Sequence, residues 1–145
     1  MIKKILVPID GSEVALRALE FALEIGKKLA AEIIVLNVDI PYDLNRIVPA
    51  KGKDADGKEV KPIELGTKPL EDAEKAAKKF GYEKIIFKQL VDVDPSERIC
   101  IEAKRANVDL VVMGNRGMGT LAGFFLGSVS TKVSQNVHCP VTIMK

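Results

Sequence analysis

Five short runs of apolar residues alternate with longer amphipathic stretches along this chain. Most runs are continuous in Ile, Val and Leu rather than alternating with polar residues, which is typical of parallel strands covered on both faces. The pattern therefore predicts five strands, at Lys4–Ile9, Ile33–Val38, Lys84–Val91, Val108–Met113 and Val141–Met144.

Helical spacing separates these strands. Apolar residues three and four positions apart predict a helix after Ser12, a second that stops at Gly81, a third after the capping-box-like start at Asp94, and a fourth from near Gly127. Ser12 or Asp10 is a candidate cap for the first helix. The alternation predicts one α/β domain over residues 1–145, an open parallel sheet with helices on both faces and right-handed crossovers.

Composition and charge exclude several classes of function. The 145 residues suit one domain, and 22 basic against 20 acidic residues leave a net charge of +2. This balance, with 5% aromatic residues, argues against binding of nucleic acid or of a membrane surface. The longest uncharged stretch, Gly117–Thr131, is too short and too rich in glycine to span a bilayer.

Cysteine and histidine are too scarce for a metal or disulfide framework. Cys100 and Cys139 are the two cysteines, and both are expected to be buried free thiols. The single histidine, His138, is expected to be structural, because one histidine cannot form a histidine metal cluster. These features predict a reduced, cytoplasmic protein.

One polar segment, from Pro41 to Pro62, matches neither a strand nor a helix. It holds three prolines, and connections longer than about 12–15 residues are usually functional or mobile. We therefore expect a flexible loop over residues 41–62. Asp54, Asp56 and Glu59 lack the spacing of a calcium-binding EF-hand, so a solvated loop is favoured over a metal site.

The candidate chemistry lies where the first and fourth predicted strands end. Ligands of open parallel sheets bind at the carboxyl ends of strands, where the strand order reverses. The fourth strand leads into Gly114, and Gly127-Ser128 opens the next helix, where free N–H groups, a positive dipole end and a hydroxyl suit a phosphate. Glycines after a strand also form tight turns, so the glycines alone leave both interpretations open.

Several nucleotide-binding and hydrolytic motifs are absent from the sequence. It has no GxxxxGK[ST] loop, and its first strand–helix turn, Asp10-Gly11-Ser12, lacks the GxGxxG of dinucleotide-binding folds. It also has no GxSxG nucleophile elbow. These absences exclude Walker-type NTPases, Rossmann dehydrogenases and serine hydrolases of the elbow type.

A longer motif resembles the nucleotide signature of the universal stress protein family, G-x2-G-x9-G-[S/T]. Gly114-Asn115-Arg116-Gly117, nine residues and then Gly127-Ser128 match it at every fixed position. The first strand with its Asp10-Gly11-Ser12 turn, the second strand Val35-Leu36-Asn37-Val38 and the ending His138-Cys139-Pro140-Val141 add to the likeness. The resemblance therefore spans essentially the whole chain.

The resemblance implies an adenine-nucleotide alpha-hydrolase-like fold with strand order 3-2-1-4-5, and a site for ATP, or for AMP or ADP. Asn37 stands where many relatives carry histidine, and Asn115 where many carry serine, which bears on nucleotide preference. Adenosine contacts are implied for Pro8, Ile9, Asp10, Val38, Met113 and Gly114, and the signature's phosphate loop for Asn115, Arg116, Gly117, Gly127, Ser128 and Val129.

The leading functional hypothesis is an ATP-binding regulatory module with little or no turnover that acts on a protein partner the sequence does not identify. Asp10 is a candidate to hold Mg²⁺ or Mn²⁺ through water beside the phosphates. The alternative is a slow ATPase or nucleotide-dependent transferase that uses Asp10 and Arg116. A phosphoacceptor receiver is a third class, but the isolated Asp10 lacks the acidic cluster that such a protein needs.

The last strand also predicts self-association. Val141–Met144 would lie at the sheet edge in the 3-2-1-4-5 order, and Val141 and Ile143 give it an apolar character that edges of monomers normally avoid. Pairing with a second copy would satisfy its backbone, and the family resemblance implies the same homodimer. The alternative is an edge covered by the 41–62 loop.

Overall fold

The computed structural model of the chain describes residues 1–40, 67–115 and 126–145. Nine elements follow one another within these ranges. They are β1 (Lys4–Ile9), α1 (Glu13–Leu29), β2 (Glu32–Asp39), α2 (Lys68–Phe80), β3 (Ile85–Val91), α3 (Pro95–Arg105), β4 (Leu110–Gly114), α4 (Ser128–Asn136) and β5 (Val141–Met144). The predicted loop over 41–62 and the candidate residues Arg116 and Gly117 lie outside the described residues.

The strands form one parallel five-stranded sheet in the order β3-β2-β1-β4-β5. This is the order that the family resemblance implied. The predicted bounds of β1 and β5 are confirmed residue for residue. β1 lies at the centre of the sheet, so the chain builds one half outward through β2 and β3 and then crosses to build the other half through β4 and β5.

Side chains that alternate along the strands pack into two separate apolar cores, one on each face of the sheet. On the face covered by α1 and α2, Ile5, Val7 and Ile33 pack with small helix residues such as Ala18 and Ala73. On the opposite face, covered by α3 and α4, the neighbouring strand positions do the same. That second core contains Leu6, Ile34, Leu36, Ile99, Ala103, Val108, Val111, Met113 and Val133. Helices on both faces explain why the strands are apolar in both directions.

Two helix starts are built as predicted, with one refinement each. The Ser12 hydroxyl oxygen accepts the Ala15 N–H at 3.2 Å, so Ser12 caps α1, and Asp10 supports that cap rather than replacing it. Asp94 caps α3 by accepting the N–H groups of the next turn. The N–H of Asp94 itself donates to the side chain of Asp92 at 3.1 Å. In a full capping box, this N–H would instead donate to the side chain of the third helical residue.

The predicted beginning of β4 is wrong by two residues. Val108 is buried, as its apolar character suggests, but its N–H donates to the Ala103 carbonyl at 2.9 Å and so still belongs to the end of α3. Asn107 has a φ of 54°, in the left-handed region, and turns the chain toward the sheet. An apolar pattern cannot separate a buried turn residue from the first residue of a strand.

The cysteines and the histidine take structural positions. Cys100 and Cys139 are free and half-buried, less enclosed than expected, and burial raises the pKa of both thiols. His138 Nε2 lies 3.0 Å from the carbonyl oxygen of Val108 and so ties the approach to β5 to the turn before β4. Within the ranges given above, no helix combines the length and apolarity needed to cross a bilayer.

Candidate functional site

The sheet opens between β1 and β4 at its carboxyl edge. β1 pairs with β2 along its full length, from Lys4↔Glu32 to Ile9↔Asn37. Between β1 and β4, all of whose residues are described, the pairing is limited to Ile5↔Leu110 and Leu6↔Val111. The ladder between the two strands therefore ends early at the point where the strand order reverses, which is where open α/β sheets bind ligands, and we call this place the opening.

Apolar side chains line the opening on the face of α3 and α4. Met113 is buried in the core of that face, and Val38 and Val129 are half-buried against the same core. Strand alternation directs the half-buried Pro8 to this face as well, since its neighbour Leu6 is part of that core. Such a lining suits the flat apolar faces of a planar ring.

Ile9 contributes differently from the sequence prediction. Its side chain is buried in the core on the face of α1 and α2, opposite the apolar lining. Only the backbone of Ile9 is therefore placed to serve a ligand at the tip of β1. Side-chain alternation along a strand is the physical reason, because neighbouring residues cannot both face one side of a sheet.

The turn that follows β1 is held by its own polar side chains. One carboxylate oxygen of Asp10 accepts the Ser12 N–H at 2.9 Å and the Ser12 hydroxyl at 2.6 Å. Gly11 has a φ of 88°, a conformation that favours glycine. Asp10 thus keeps an exposed position at the rim while its carboxylate fixes the start of α1.

A hydrogen-bonded clamp joins the end of β4 to the start of α4. The carbonyl oxygen of Asn115 accepts the Gly127 N–H at 2.7 Å and the hydroxyl of the buried Ser130 at 2.8 Å. The Asn115 N–H in turn donates to the Met144 carbonyl at 2.8 Å. The Gly127 N–H is used in this clamp. Of the phosphate contacts predicted at the start of α4, those of Ser128 and Val129 therefore remain.

The N-terminus of α4 keeps its electropositive character. Among the described residues, no side chain caps it, and its first turn contains no acid. By contrast, α1 and α3 have both a side-chain cap and an acid, and α2 has Glu71 in its first turn. The first N–H groups of a helix lack partners within the helix, so Ser128 and Val129 present theirs beside the opening. Ser128 is exposed and adds a hydroxyl.

Gly114 is explained by packing. A Cβ atom at this position would lie 2.8 Å from Cγ1 of Val14 on α1, closer than real Cβ contacts allow. Its φ is not in the left-handed region. The first glycine of the signature is therefore required by the close approach of α1 to β4, a reason that the spacing of the motif could not reveal.

Ion pairs hold the start of α3 and link it to α4. Asp94 lies 3.5 Å from the Lys132 ammonium, and Asp92 lies 2.8 Å from Nε of Arg98. Hydrogen bonds, from the Ser96 hydroxyl foremost, keep the pKa of Asp94 below its usual value. The pKa of Asp92 is lowered too, first by the Asp94 N–H and then by Arg98.

Asn37 and Gln89 are polar residues at this edge for which the sequence indicated no contact. Asn37 is buried near the carboxyl end of β2, between β1 and β3, and bonds to Ile9 and Gln89. A polar residue directly after an apolar run was the available signal. Among the residues that the structure describes, no group of three or more His, Cys, Asp or Glu could hold a metal ion. Asp10 alone would need a ligand's phosphates to complete such a site.

An open parallel sheet whose strand order reverses between β1 and β4 defines a doubly wound α/β protein, and the reversal point is its candidate ligand site. The model of the family described as the Universal stress protein family matches residues 1–145. The chain belongs to this family.

Known proteins that match over essentially the whole chain support this assignment. Universal stress protein YxiE of Bacillus subtilis is 39% identical over 153 residues, which cover 100% of both chains. Universal stress protein MJ0531 of Methanocaldococcus jannaschii is 34% identical over 145 residues, covering 99% of this chain and 82% of that protein. A universal stress protein crystallised in complex with cAMP is 26% identical, with a TM-score of 0.72, and the match covers 99% and 97% of the two chains.

Proposed function

We propose that this chain binds an adenine nucleotide, ATP foremost, between β1 and β4 and acts as a nucleotide-dependent regulatory module. The observation that carries the proposal is the early end of the β1–β4 ladder beside the uncapped start of α4. The universal stress protein that was crystallised with cAMP supports an adenine nucleotide as the ligand class.

The residues at the opening fit both ends of such a ligand. Pro8, Val38 and Met113 offer apolar surface to the base. The N–H groups of Ser128 and Val129, with the dipole of α4, offer donors to the phosphates, which bring the negative charge that this helix start lacks. Gly114 and Asn115 join the two regions at the end of β4, and Asp10 lies at the rim for a hydrated Mg²⁺ or Mn²⁺ ion.

The hydrogen bonds of Asp10 support the proposal of binding with little or no turnover. Its carboxylate accepts two hydrogen bonds from Ser12 and supports the cap of α1, which is a structural task rather than that of a general base. Prolonged incubation with labelled ATP checks this point. Turnover well above the buffer rate that disappears in Asp10→Asn would favour the slow ATPase instead.

A charge placed at the start of α4 tests the site. In Ser128→Asp the new carboxylate is favourable for the helix dipole but repels phosphates, so we expect at least about tenfold weaker ATP binding, equal to about 1.4 kcal/mol, with the fold retained. Ser134→Asp is the matched control, because it adds the same charge at an exposed position in the second half of the same helix. Calorimetry measures both dissociation constants, and mass spectrometry identifies any nucleotide released from the purified protein. Equal ATP affinity in Ser128→Asp and Ser134→Asp would refute the phosphate assignment, and no ATP binding by the wild type would refute the function.

We also propose that two copies pair through β5. β5 is the last strand of the sheet, and β4 occupies one of its sides. The Pro140 carbonyl accepts the N–H of Val111 on β4, and the Met144 carbonyl accepts the N–H of Asn115, directly after β4. Since main-chain groups alternate in direction along a strand, Val141 and Ile143 direct theirs to the other side, which no described strand covers and which we call the open side.

Ile143→Pro is therefore a selective test of pairing. It removes an N–H directed to the open side and none directed to β4, so the monomer fold should survive while the dimer weakens. Sedimentation should give about twice 15.8 kDa for the wild type and a shift toward one copy for the variant. A wild-type monomer at about tens of micromolar would contradict the pairing.

A further inference from the structure

A row of polar groups crosses three strands at the carboxyl edge, on the face of α1 and α2. Ile9, Asn37 and Gln89 are partners in register across β1, β2 and β3. Nδ2 of Asn37 donates to the Ile9 carbonyl at 2.9 Å, and Oδ1 of Asn37 accepts from Nε2 of Gln89 at 3.3 Å. Because a carbonyl oxygen only accepts, the amide nitrogen of Asn37 must be the atom that faces Ile9.

Burial of the Asn37 side-chain amide costs free energy unless its polar atoms are hydrogen-bonded. Asn37 is 5% exposed, and the four residues before it on β2 are all buried and apolar. A buried amide without partners costs about 1–3 kcal/mol, whereas an apolar side chain of the same size would be neutral or stabilising. Both hydrogen bonds of Asn37 are made, so this group trades apolar packing for a defined geometry.

That geometry is imposed on the tip of β1. The Ile9 carbonyl and the Asp10 Cα belong to one planar peptide unit, so a donor that fixes the carbonyl also sets the direction in which Asp10 leaves the strand. β4 does not pair with this part of β1, so it offers the tip no ladder support on that side. Asp10 then holds Ser12, and Ser12 caps α1.

We infer that Asn37 is a positioning residue of the nucleotide site. Its side-chain amide, held in turn by Gln89, fixes the Ile9–Asp10 peptide and thereby the Asp10–Ser12 turn at the rim of the opening. The inference rests on the proposed function. Asn37 lies on the face opposite the apolar lining, so it acts on the ligand through the β1 tip and not by contact.

Asn37→Leu tests this role, because it keeps the volume and removes the donor. Tyr82→Phe is the matched control: the Tyr82 hydroxyl lies 2.7 Å from the Ala31 carbonyl and 3.0 Å from that of Gly26, at the opposite edge of the sheet. We expect about tenfold weaker ATP binding by calorimetry in Asn37→Leu and an unchanged dissociation constant in Tyr82→Phe. In the nucleotide-free protein, the Ser12 amide should exchange faster in Asn37→Leu than in the wild type, and Tyr82→Phe should leave that rate unchanged.

Asn37→Asp adds a readout that a merely structural residue would not move. At neutral pH its carboxylate sets an acceptor against the Ile9 carbonyl, whereas the protonated form can donate to that carbonyl. The ratio of its ATP dissociation constant to that of the wild type should therefore fall as the pH is lowered from 8 to about 5, because burial raises the pKa of a carboxyl group.

The outcomes separate the two proposals. A wild type that binds no ATP overturns the proposed function and, with it, the role of Asn37 at a nucleotide site. A wild type that binds ATP, with Asn37→Leu binding equally tightly and exchanging Ser12 at the same rate, overturns the inference alone. Equal losses of affinity in Asn37→Leu and Tyr82→Phe would also overturn it, since they would trace the effect to global stability.

Discussion

The amino and carboxyl edges of the sheet differ in what their side-chain hydrogen bonds join. At the amino edge, one Asp109 oxygen accepts the N–H groups of Lys3 and Lys4 at 2.8 and 2.9 Å, and the Tyr82 hydroxyl reaches carbonyls that end α1. The Lys4 ammonium donates to the Ala106 carbonyl at 3.2 Å. These side chains satisfy the backbone of neighbouring elements and tie them together.

At the carboxyl edge, the corresponding bonds hold single turns and leave a gap. Asp10 bonds Ser12 two residues away, and Asn115 bonds Gly127 across the base of one connection. β1 and β4 end their pairing early, and α4 starts without a cap. This difference supports the proposed site at the carboxyl edge, because a binding site needs donors that the protein has not already used.

The largest effect is expected where α1 meets the end of β4. Gly114→Ala puts a Cβ atom 2.8 Å from Cγ1 and 3.3 Å from Cγ2 of the half-buried Val14. Because Val14 is branched and stiff, we expect the free energy of unfolding to fall by about 1–3 kcal/mol in urea titrations. Adding Val14→Ala should recover part of that loss, since it removes the clashing atoms. Strictly additive costs in this double-mutant cycle would contradict the packing explanation.

A matched pair of hydroxyl deletions compares the two edges directly. Ser130→Ala and Tyr82→Phe each remove one hydrogen bond to a carbonyl, so each should lower the free energy of unfolding by about 1 kcal/mol. Ser130→Ala should also weaken ATP binding about threefold, because it loosens the clamp between β4 and α4, whereas Tyr82→Phe should not. Urea titration and calorimetry on both variants check this. Equal affinities in the two variants would remove the functional contrast between the edges.

The smallest effect is a pH dependence at the amino edge. The backbone N–H groups of Lys3 and Lys4 hold the pKa of Asp109 below its unfolded value of about 3.9. A depressed folded pKa contributes stability above the unfolded pKa, and that contribution is lost as the pH falls through the folded value. The stability difference between wild type and Asp109→Asn should therefore shrink below about pH 4. The difference for Tyr82→Phe, measured in parallel, should stay constant over that acidic range.

Most of the fold could be predicted from the sequence because its signals are local. Periodicity located the nine elements, and Gly81, whose φ is 76°, stopped α2 where the sequence indicated. The sheet order came from the family resemblance. The exception at Val108 arose because burial alone does not distinguish a strand from the turn before it.

The candidate site was less predictable, residue by residue. The motif indicated the carboxyl edge of the sheet and α4, but it assigned the Gly127 N–H to a ligand, and in the structure that N–H donates to the Asn115 carbonyl. It placed Gly114 among the adenosine contacts, but it gave no sign that Val14 requires a glycine there. Both differences depend on partners more than ten residues away, which no local spacing encodes.

The number and type of elements, the single α/β domain and the family follow from periodicity and from a motif, both of which are read along one dimension. The donors that remain at the carboxyl edge are known only from the packing of the folded chain. The separation of β1 from β4, the face to which Ile9 turns and the bonds of Asn37 each depend on strands that are distant in sequence and adjacent in space. Hydrogen bonding saturates, so a group's availability is known only when all its neighbours are.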